Sequence, residues 1–368
     1  MRRGGPAALP QPLLPHGAPS GYASALVIRQ PFLRGCVLSL AVLSVGTAAG
    51  ADQERDDLVR TCLDHINHER YQAVPPCAQQ LRERYPDSPA GAFVAATAYQ
   101  TMMSDYRVRR FEREFETEIA DAIQKAKLAA TTNSDAESRF LWGAAESYRC
   151  LHWFRQGRWF KALRAALSST RRLEEAHRME PQFVDPLFGL ALFDHAKHKV
   201  RVLGLGLFRD RGQRAIERLT LARDKARFVS VNALYALQYV HVDRGDYALA
   251  LPTNDILFAQ FPRNPVCLYN RGLILEALGR ADEAVPIWST LVEVIGAFSQ
   301  PSRGFLAECH YHLALLARRQ GDQESASRFL SQAKTYAVRR DASQELDGPY
   351  FSFKEIQRAI GEALRGTG

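Results

Sequence analysis

The stretches Asp243-Arg-Gly245-Asp-Tyr and Leu278-Gly279-Arg-Ala-Asp decide the fold, because their glycines lie 34 residues apart (279 − 245). A third copy, Arg319-Gln-Gly321-Asp, follows 42 residues later (321 − 279). The additional eight residues (42 − 34) are assigned to a loop at 298–304. A fixed period of this length predicts a solenoid in which each unit is a hairpin of two helices.

The rest of the chain after Ala51 also has a helical pattern. Apolar residues recur at spacings of three and four, as in 307–317, and no segment shows the sustained alternation of a strand. Turn and loop residues separate the helical segments at Pro86, Asn133-Ser-Asp, Gly157, Pro181, Gly204-x-Gly206, Gly245, Pro262, Gly279, Ser299-Gln-Pro301-Ser and Gly321. The segments between these breaks are predicted to be helix hairpins.

The repeat that begins at Pro265 carries a recognisable pattern of large and small residues. Its first helix has Leu268, Gly272 and Leu275, and its second has Ala284 and Trp288. With this pattern the chain resembles the tetratricopeptide repeat family, in which small residues let paired helices approach and large ones fill the space between turns. The resemblance implies an all-α fold, a right-handed superhelical solenoid of antiparallel helix hairpins.

Two further repeats follow the pattern less closely. The repeat at Val231 has Leu234, Ala250, Leu257 and Pro262, with Gln238 and Asn254 as polar departures, and the repeat at Ala307 has Ala314, Ala317, Ala326, Leu330 and Ala333. Pro76, Pro252 and Pro286 fall at one equivalent place early in the second helix. This register makes 55–88 a first repeat, with Cys62 at the small position.

The resemblance covers 231–338 well and 52–88 moderately, and it is weak over the longer hairpins between them at 89–132, 135–181 and 184–227. The predicted domains are an extension with a signal peptide, N-terminal hairpins, longer irregular hairpins, three repeats and a C-terminal capping helix, at 1–51, 52–132, 133–228, 229–340 and 341–368.

The N-terminal segment has the order of a secretory signal peptide. Arg29 and Arg34 precede an apolar run at 36–46, which leads to the small residues Ala49-Gly50-Ala51. Cleavage after Ala51 would place the mature protein in a bacterial periplasm or outside the cell. An uncleaved anchor is the alternative, although the apolar run is shorter than the roughly 20 residues of a spanning helix. Residues 1–26 are rich in Pro, Gly and Ala and fit neither a signal peptide nor a fold.

The basic net charge does not indicate nucleic-acid binding. Residues 1–51 carry four arginines and no acid, so the formal charge of +8 falls to +4 (8 − 4) without them. In the remainder, acids and bases interleave, as in 107–114, and no basic block stands among aromatic platforms. Nucleic acid is therefore excluded as the expected partner.

Residues with catalytic or metal-binding potential are few. Asp194-His195-Ala-Lys-His198 and His310-Tyr-His312 each place two imidazoles close together, without a third ligand at fixed spacing. Gly204-Leu-Gly206 follows a helix and lacks a third glycine, so it does not predict a nucleotide site. We expect a non-enzyme without cofactor or metal. The alternative is an enzyme or metal site in the irregular middle, built on His195 and His198.

The densest aromatic region lies in the same middle segment. It comprises Phe140, Trp142, Tyr148, Trp153, Phe154, Trp159 and Phe160. One interpretation is a hydrophobic pocket, and the other is that these rings fill the space between long helices.

Five cysteines follow Ala51, so at least one thiol stays free, and none has the C-x-x-C spacing of a zinc or redox site. Cys62 and Cys77 are predicted to form a disulfide, because antiparallel helices joined by a short turn bring them together and export permits oxidation. A pair of buried thiols is the alternative.

The resemblance also implies a binding surface, a concave groove lined by the first helix of each repeat. Its fifth position is Tyr235, Tyr269 and Tyr311, and its neighbours include Asn232, Tyr239, Asp243, Leu273, Glu276, Arg318 and Arg319. A column of tyrosines is typical of interfaces with proteins or peptides. The sequence therefore predicts a scaffold for a protein or peptide partner. Alternatively, each ring covers the edge of the core, or the chain has a purely structural role in assembly.

Overall fold

The computed structural model describes residues 48–133, 135–200 and 212–365. These residues form α-helices, one short 3-10 helix at Tyr71–Ala73 and no strand, which confirms the all-α prediction. The α-helices are α1 (Ala48–Asn67), α2 (Val74–Arg84), α3 (Ala90–Tyr106), α4 (Glu112–Thr132), α5 (Ala136–Arg155), α6 (Trp159–Met179), α7 (Pro186–Val200), α8 (Gly212–Lys225), α9 (Ser230–Arg244), α10 (Tyr247–Gln260), α11 (Pro265–Ala277), α12 (Ala281–Gly296), α13 (Arg303–Arg319), α14 (Gln323–Val338) and α15 (Phe353–Arg365). The signal segment up to residue 47 and the Gly204-Leu-Gly206 loop lie outside the described residues.

The described residues group into two compact units. The N-terminal unit contains 48–104 and 110–240, and the C-terminal unit contains 105–109 and 241–365. The boundary between the units, at 240/241, falls within α9. The units therefore do not coincide with the ends of the sequence repeats. The five sequence domains and the right-handed superhelix stay predictions.

Four turn glycines build the hairpins in both units. Gly157, Gly245, Gly279 and Gly321 have φ values between 71° and 80°, a left-handed conformation that glycine adopts without steric cost. At each, the amide of the next residue donates to a carbonyl five residues back, as from Arg280 to Leu275 at 2.9 Å. This pattern ends a helix and satisfies its last carbonyls. The turn at 157 shows that the α5–α6 hairpin follows the same rule as the regular repeats.

The first hairpin and the later repeats also share their proline register. Pro76, Pro252 and Pro286 are each the sixth residue of a helical segment, counted from Tyr71, Tyr247 and Ala281. A disulfide joins Cys62 of α1 to Cys77 of α2, with the two Cα atoms 5.7 Å apart. Both cysteines are buried, and Cys150, Cys267 and Cys309 are free thiols.

Small residues meet large ones where the helices are closest. A Cβ atom on Gly272 would lie 2.5 Å from the ring of Trp288, which is fully buried. In the N-terminal unit, Leu173 of α6 lies between Gly143 of α5 and Gly189 of α7, where added Cβ atoms would come within 2.9 Å and 2.6 Å of it. The small residue at 272 thus packs against the large one at 288, and glycines in the middle hairpins pack against a large side chain in the same way.

Replacing Gly272 with alanine is expected to lower the free energy of unfolding by about 1–3 kcal/mol, because the buried indole has no room to move aside. Gly296→Ala is the matched control, since nothing lies within 4 Å of its added Cβ, and its effect should stay within about 1 kcal/mol. Urea denaturation of both variants measures the difference. Equal effects would show that the close approach at 272 does not limit packing.

Candidate functional site

The eight predicted groove residues all lie on first helices of hairpins. Tyr269, Leu273, Glu276, Tyr311 and the neighbouring arginines lie on α11 and α13, and Tyr235 and Tyr239 lie on α9. Seven of the eight are buried, Arg318 among them, and only Arg319 is exposed. Of the other neighbours, Asn232 is buried and Asp243 is half-buried. The expected solvent-facing column of tyrosines is therefore a buried column, because the chain itself covers it.

Tyr269 contributes to a buried polar cluster in the C-terminal unit. Its hydroxyl donates to Glu308 Oε1 at 2.6 Å, and Glu308 also forms an ion pair with Arg107. The Arg107 guanidinium lies 3.6 Å from the Phe305 ring centroid and 4.6 Å from that of Tyr269. Burial by itself disfavours the charge on Arg107, but the Glu308 carboxylate raises the pKa of that guanidinium. Burial also raises the pKa of Tyr269 well above its usual range, so the phenol stays protonated and can donate its hydrogen bond to Glu308.

The backbone at Arg107 departs from ordinary geometry. Arg107 follows the last residue of α3 and has a φ of 54°, a region where glycine is the usual residue. The turn directs the next residue, Val108, into an antiparallel bridge with Glu345. The Arg107 carbonyl accepts from the amide of Leu346 at 2.9 Å. The ion pair with Glu308 and the backbone contacts with 345–346 hold Arg107 in this conformation.

The segment at 341–351 packs beside residues 105–109. Glu345 Oε2 accepts from the Ser302 hydroxyl and from the Gly304 amide, both at 2.7 Å, which places its charge at the start of α13. Tyr350 donates to Asn270 Oδ1 at 2.7 Å, and its ring stacks on Tyr269 with centroids 6.1 Å apart. We call the side of α11 and α13 that holds 105–109 and 341–351 the first-helix face. In this structure it holds non-helical segments of its own chain.

Glu276, another predicted groove residue, is used inside the protein. Its Oε1 accepts from Trp288 Nε1 at 2.6 Å and lies 2.8 Å from His312 Nδ1. The His312 ring stacks on the Trp288 ring at 4.3 Å. The carboxylate therefore orients two rings in the core and is not available to a partner.

The remaining groove residues of α13 face the C-terminal helix. Arg318 donates to the Ala363 carbonyl at 2.8 Å, near the end of α15. Ile356, Ala359 and Ile360 form the buried side of α15. The buried side of α15 and the Arg318 contact place this helix against α13, while the capping role stays a prediction. Arg319 is left at the surface beside it.

Residues 266–336 match the tetratricopeptide repeat family. This segment is a tetratricopeptide repeat region. A solved structure of a tetratricopeptide repeat protein from Parabacteroides merdae is similar at 11% identity and a TM-score of 0.35, covering 84% of this chain and 99% of that one. The comparison with curated proteins gave no match. Tetratricopeptide repeats typically serve as scaffolds for protein interactions and not as enzymes.

Outside the tetratricopeptide repeat region, the two α9 tyrosines are part of the N-terminal core. Tyr235 and Tyr239 are each 1% exposed, and the ring of Tyr239 meets that of His195 edge-on at 5.5 Å. The neighbouring Asp194 accepts from Arg218 at 2.6 Å. The Asp194–His195 pair thus serves packing and an ion pair within the hairpin.

The histidines do not converge on a common site. His310 stacks on Tyr336 at 5.3 Å, while His312 meets Trp288 on another side of α13. Burial lowers the pKa of His310 to about 4, so it is neutral at physiological pH. His198 is half-buried on α7. No group of three His, Cys, Asp or Glu side chains in the described residues could hold a metal ion, so nothing here favours the metal-site alternative.

The aromatic region divides into core and surface. Phe140 packs edge-on against Phe183 at 5.0 Å, and Tyr148 against Phe93 at 5.4 Å, as expected for filling between helices. Trp159 and Phe160 are instead 50% and 87% exposed. Sequence reasoning missed this surface, because aromatic residues in helices are usually buried.

Proposed function

We propose that this chain is an exported tetratricopeptide-type scaffold that binds a protein or peptide partner at the first-helix face. The observation that supports the proposal is the way this face already holds peptide segments of its own chain. It supplies a carboxylate for an arginine, an amide acceptor for a tyrosine hydroxyl and aromatic rings for stacking. These groups are of the kinds that fix an extended peptide in a groove.

Export is the other part of the proposal. It is supported by the succession of basic, apolar and small residues at 29–51, which is the order of a signal peptide. It is also supported by the Cys62–Cys77 disulfide, since disulfides persist in oxidising compartments. No helix among the described residues is long and apolar enough to cross a membrane. From the order of residues at 29–51 and the disulfide, we propose that the partner lies in the cell envelope or outside the cell.

Because residues 105–109 and 341–351 already occupy part of the first-helix face, we expect the partner to make its first contact where the face is exposed. Arg319 is the groove residue that remains exposed there. A photo-crosslinking amino acid at position 319 is expected to capture one protein or peptide in the native envelope. Lys334, exposed on the second helix α14, is the matched control position and should capture none. Mass spectrometry identifies the adducts. No adduct from 319, or the same adducts from both positions, would refute binding at this face.

A further inference from the structure

Helix α6 presents a row of large apolar side chains to solvent. Its opposite side, with Ala162, Ala165, Ser169, Leu173 and Ala176, is buried in the N-terminal unit. The exposed fractions of Phe160, Leu163 and Leu167 are 87%, 59% and 64%, and Trp159 is half exposed. Spacings of three and four place Phe160, Leu163 and Leu167 on one side of the helix. Exposed apolar residues are usually scattered singly, so a row over about two turns indicates a contact surface.

Cations lie along one side of this row and at the start of the helix. Arg158, Lys161, Arg164 and Arg171 are exposed around it. The chain has no Asp or Glu between Glu146 and Glu174. Glu175 pairs with Arg171 at 2.9 Å, whereas Arg158, Lys161 and Arg164 take part in no ion pair within the described ranges. The surface therefore combines apolar side chains with an excess of positive charge.

The shape of the surface favours a lipid bilayer over a peptide. The side chains project from a single helix, and two cavities among the described residues, of about 440 and 230 Å³, are lined by residues outside α6. A bound peptide helix needs a groove that receives its side chains. A bilayer interface instead accepts apolar side chains from a helix lying on it, while flanking cations attract anionic headgroups.

We infer that the first three turns of α6 dock on an anionic lipid bilayer, with Phe160, Leu163 and Leu167 entering the boundary between headgroups and acyl chains. Arg158, Lys161 and Arg164 contact the lipid phosphates. This surface belongs to the N-terminal unit and is independent of the partner proposed for the repeats, so failure of one proposal leaves the other standing.

Sedimentation of the full chain with phosphatidylglycerol-containing vesicles tests the inference. Phe160→Ser/Leu163→Ser/Leu167→Ser is expected to bind at least about tenfold more weakly than the wild type, because its apolar row is gone. Lys161→Gln and Arg164→Gln should each weaken binding about fivefold, and only to anionic vesicles. The matched control is Leu249→Ser/Ile256→Ser, which changes exposed apolar residues of α10 and should bind as the wild type does. All variants keep residues 1–47, so any membrane affinity of that segment contributes equally.

A second measurement reports on α6 alone. Lipids with brominated acyl chains quench a tryptophan that enters the bilayer, and the quenching present in the wild type should be lost in Trp159→Tyr. The inference is overturned by equal quenching in the two proteins, by equal affinity of the triple-serine variant and the wild type, or by equal binding to neutral phosphatidylcholine vesicles. Failure of the wild type to bind either vesicle overturns it as well and leaves a protein partner as the occupant of the row.

Discussion

Glu308→Gln is expected to lower the free energy of unfolding by about 3–5 kcal/mol, the largest effect we foresee from a single charge change. The substitution keeps the size of the side chain but leaves the guanidinium of Arg107 buried without its counter-charge. The exposed fractions of the two side chains are 1% and 3%, so water cannot take over the role of the carboxylate. Urea denaturation followed by circular dichroism measures the loss, and hydrogen exchange of α11 and α13 localises it.

Two further variants separate the ion pair from general damage to the core. Arg107→Met/Glu308→Leu removes both charges, and we expect it to be less destabilised than Glu308→Gln because no buried charge stays unpaired. Glu283→Gln breaks an exposed pair with Arg280 and should have no measurable effect. A loss for Glu308→Gln as small as that for Glu283→Gln would mean that water enters the site.

Reduction of the Cys62–Cys77 disulfide is expected to cost about 3 kcal/mol of stability, the value for closing a loop of about 15 residues in the chain-entropy model. The bond joins the two helices of the first hairpin. Denaturation of the protein with and without dithiothreitol measures the change.

The double variant Cys62→Ala/Cys77→Ala is the control for this treatment. Dithiothreitol should not alter its stability, because the remaining cysteines are free thiols. Mass spectrometry of the unreduced wild type provides the decisive comparison. If both cysteines carry free thiols in protein isolated from its native compartment, then the disulfide does not form there and the argument for export is weakened.

The regular part of the fold was predictable from sequence because its determinants are local. The glycines at 245, 279 and 321 end helices through their own backbone conformation, and Gly272 and Trp288 belong to one hairpin. Each feature needs only residues within one period of the repeat. The same local logic holds at Gly157, although the flanking helices are longer than the usual unit.

The candidate site was not predictable in the same way, because its determinants are distant in sequence. The repeat pattern places Tyr269 in the predicted groove, but it does not indicate which residues from elsewhere in the chain occupy the groove there. Arg107 and Tyr350 occupy that place, and both come from outside the repeat. In the sequence, Arg107 belongs to a stretch of alternating acids and bases, which is usually a solvated surface. No local signal distinguishes it from its exposed neighbours.

The pairing of residues 105–109 with the segment at 341–351 limits the order in which parts of the protein can fold during synthesis. In most solenoids each repeat packs on the preceding one, so structure grows as the chain lengthens. Here Arg107 is synthesised 201 residues before its ion-pair partner Glu308. Leu346, whose amide donates to the Arg107 carbonyl, is synthesised later still. Closing so long a loop is slow compared with forming hairpins. The tetratricopeptide repeat region can therefore form early. Its first-helix face stays accessible to other polypeptides until residues 341–351 have been synthesised.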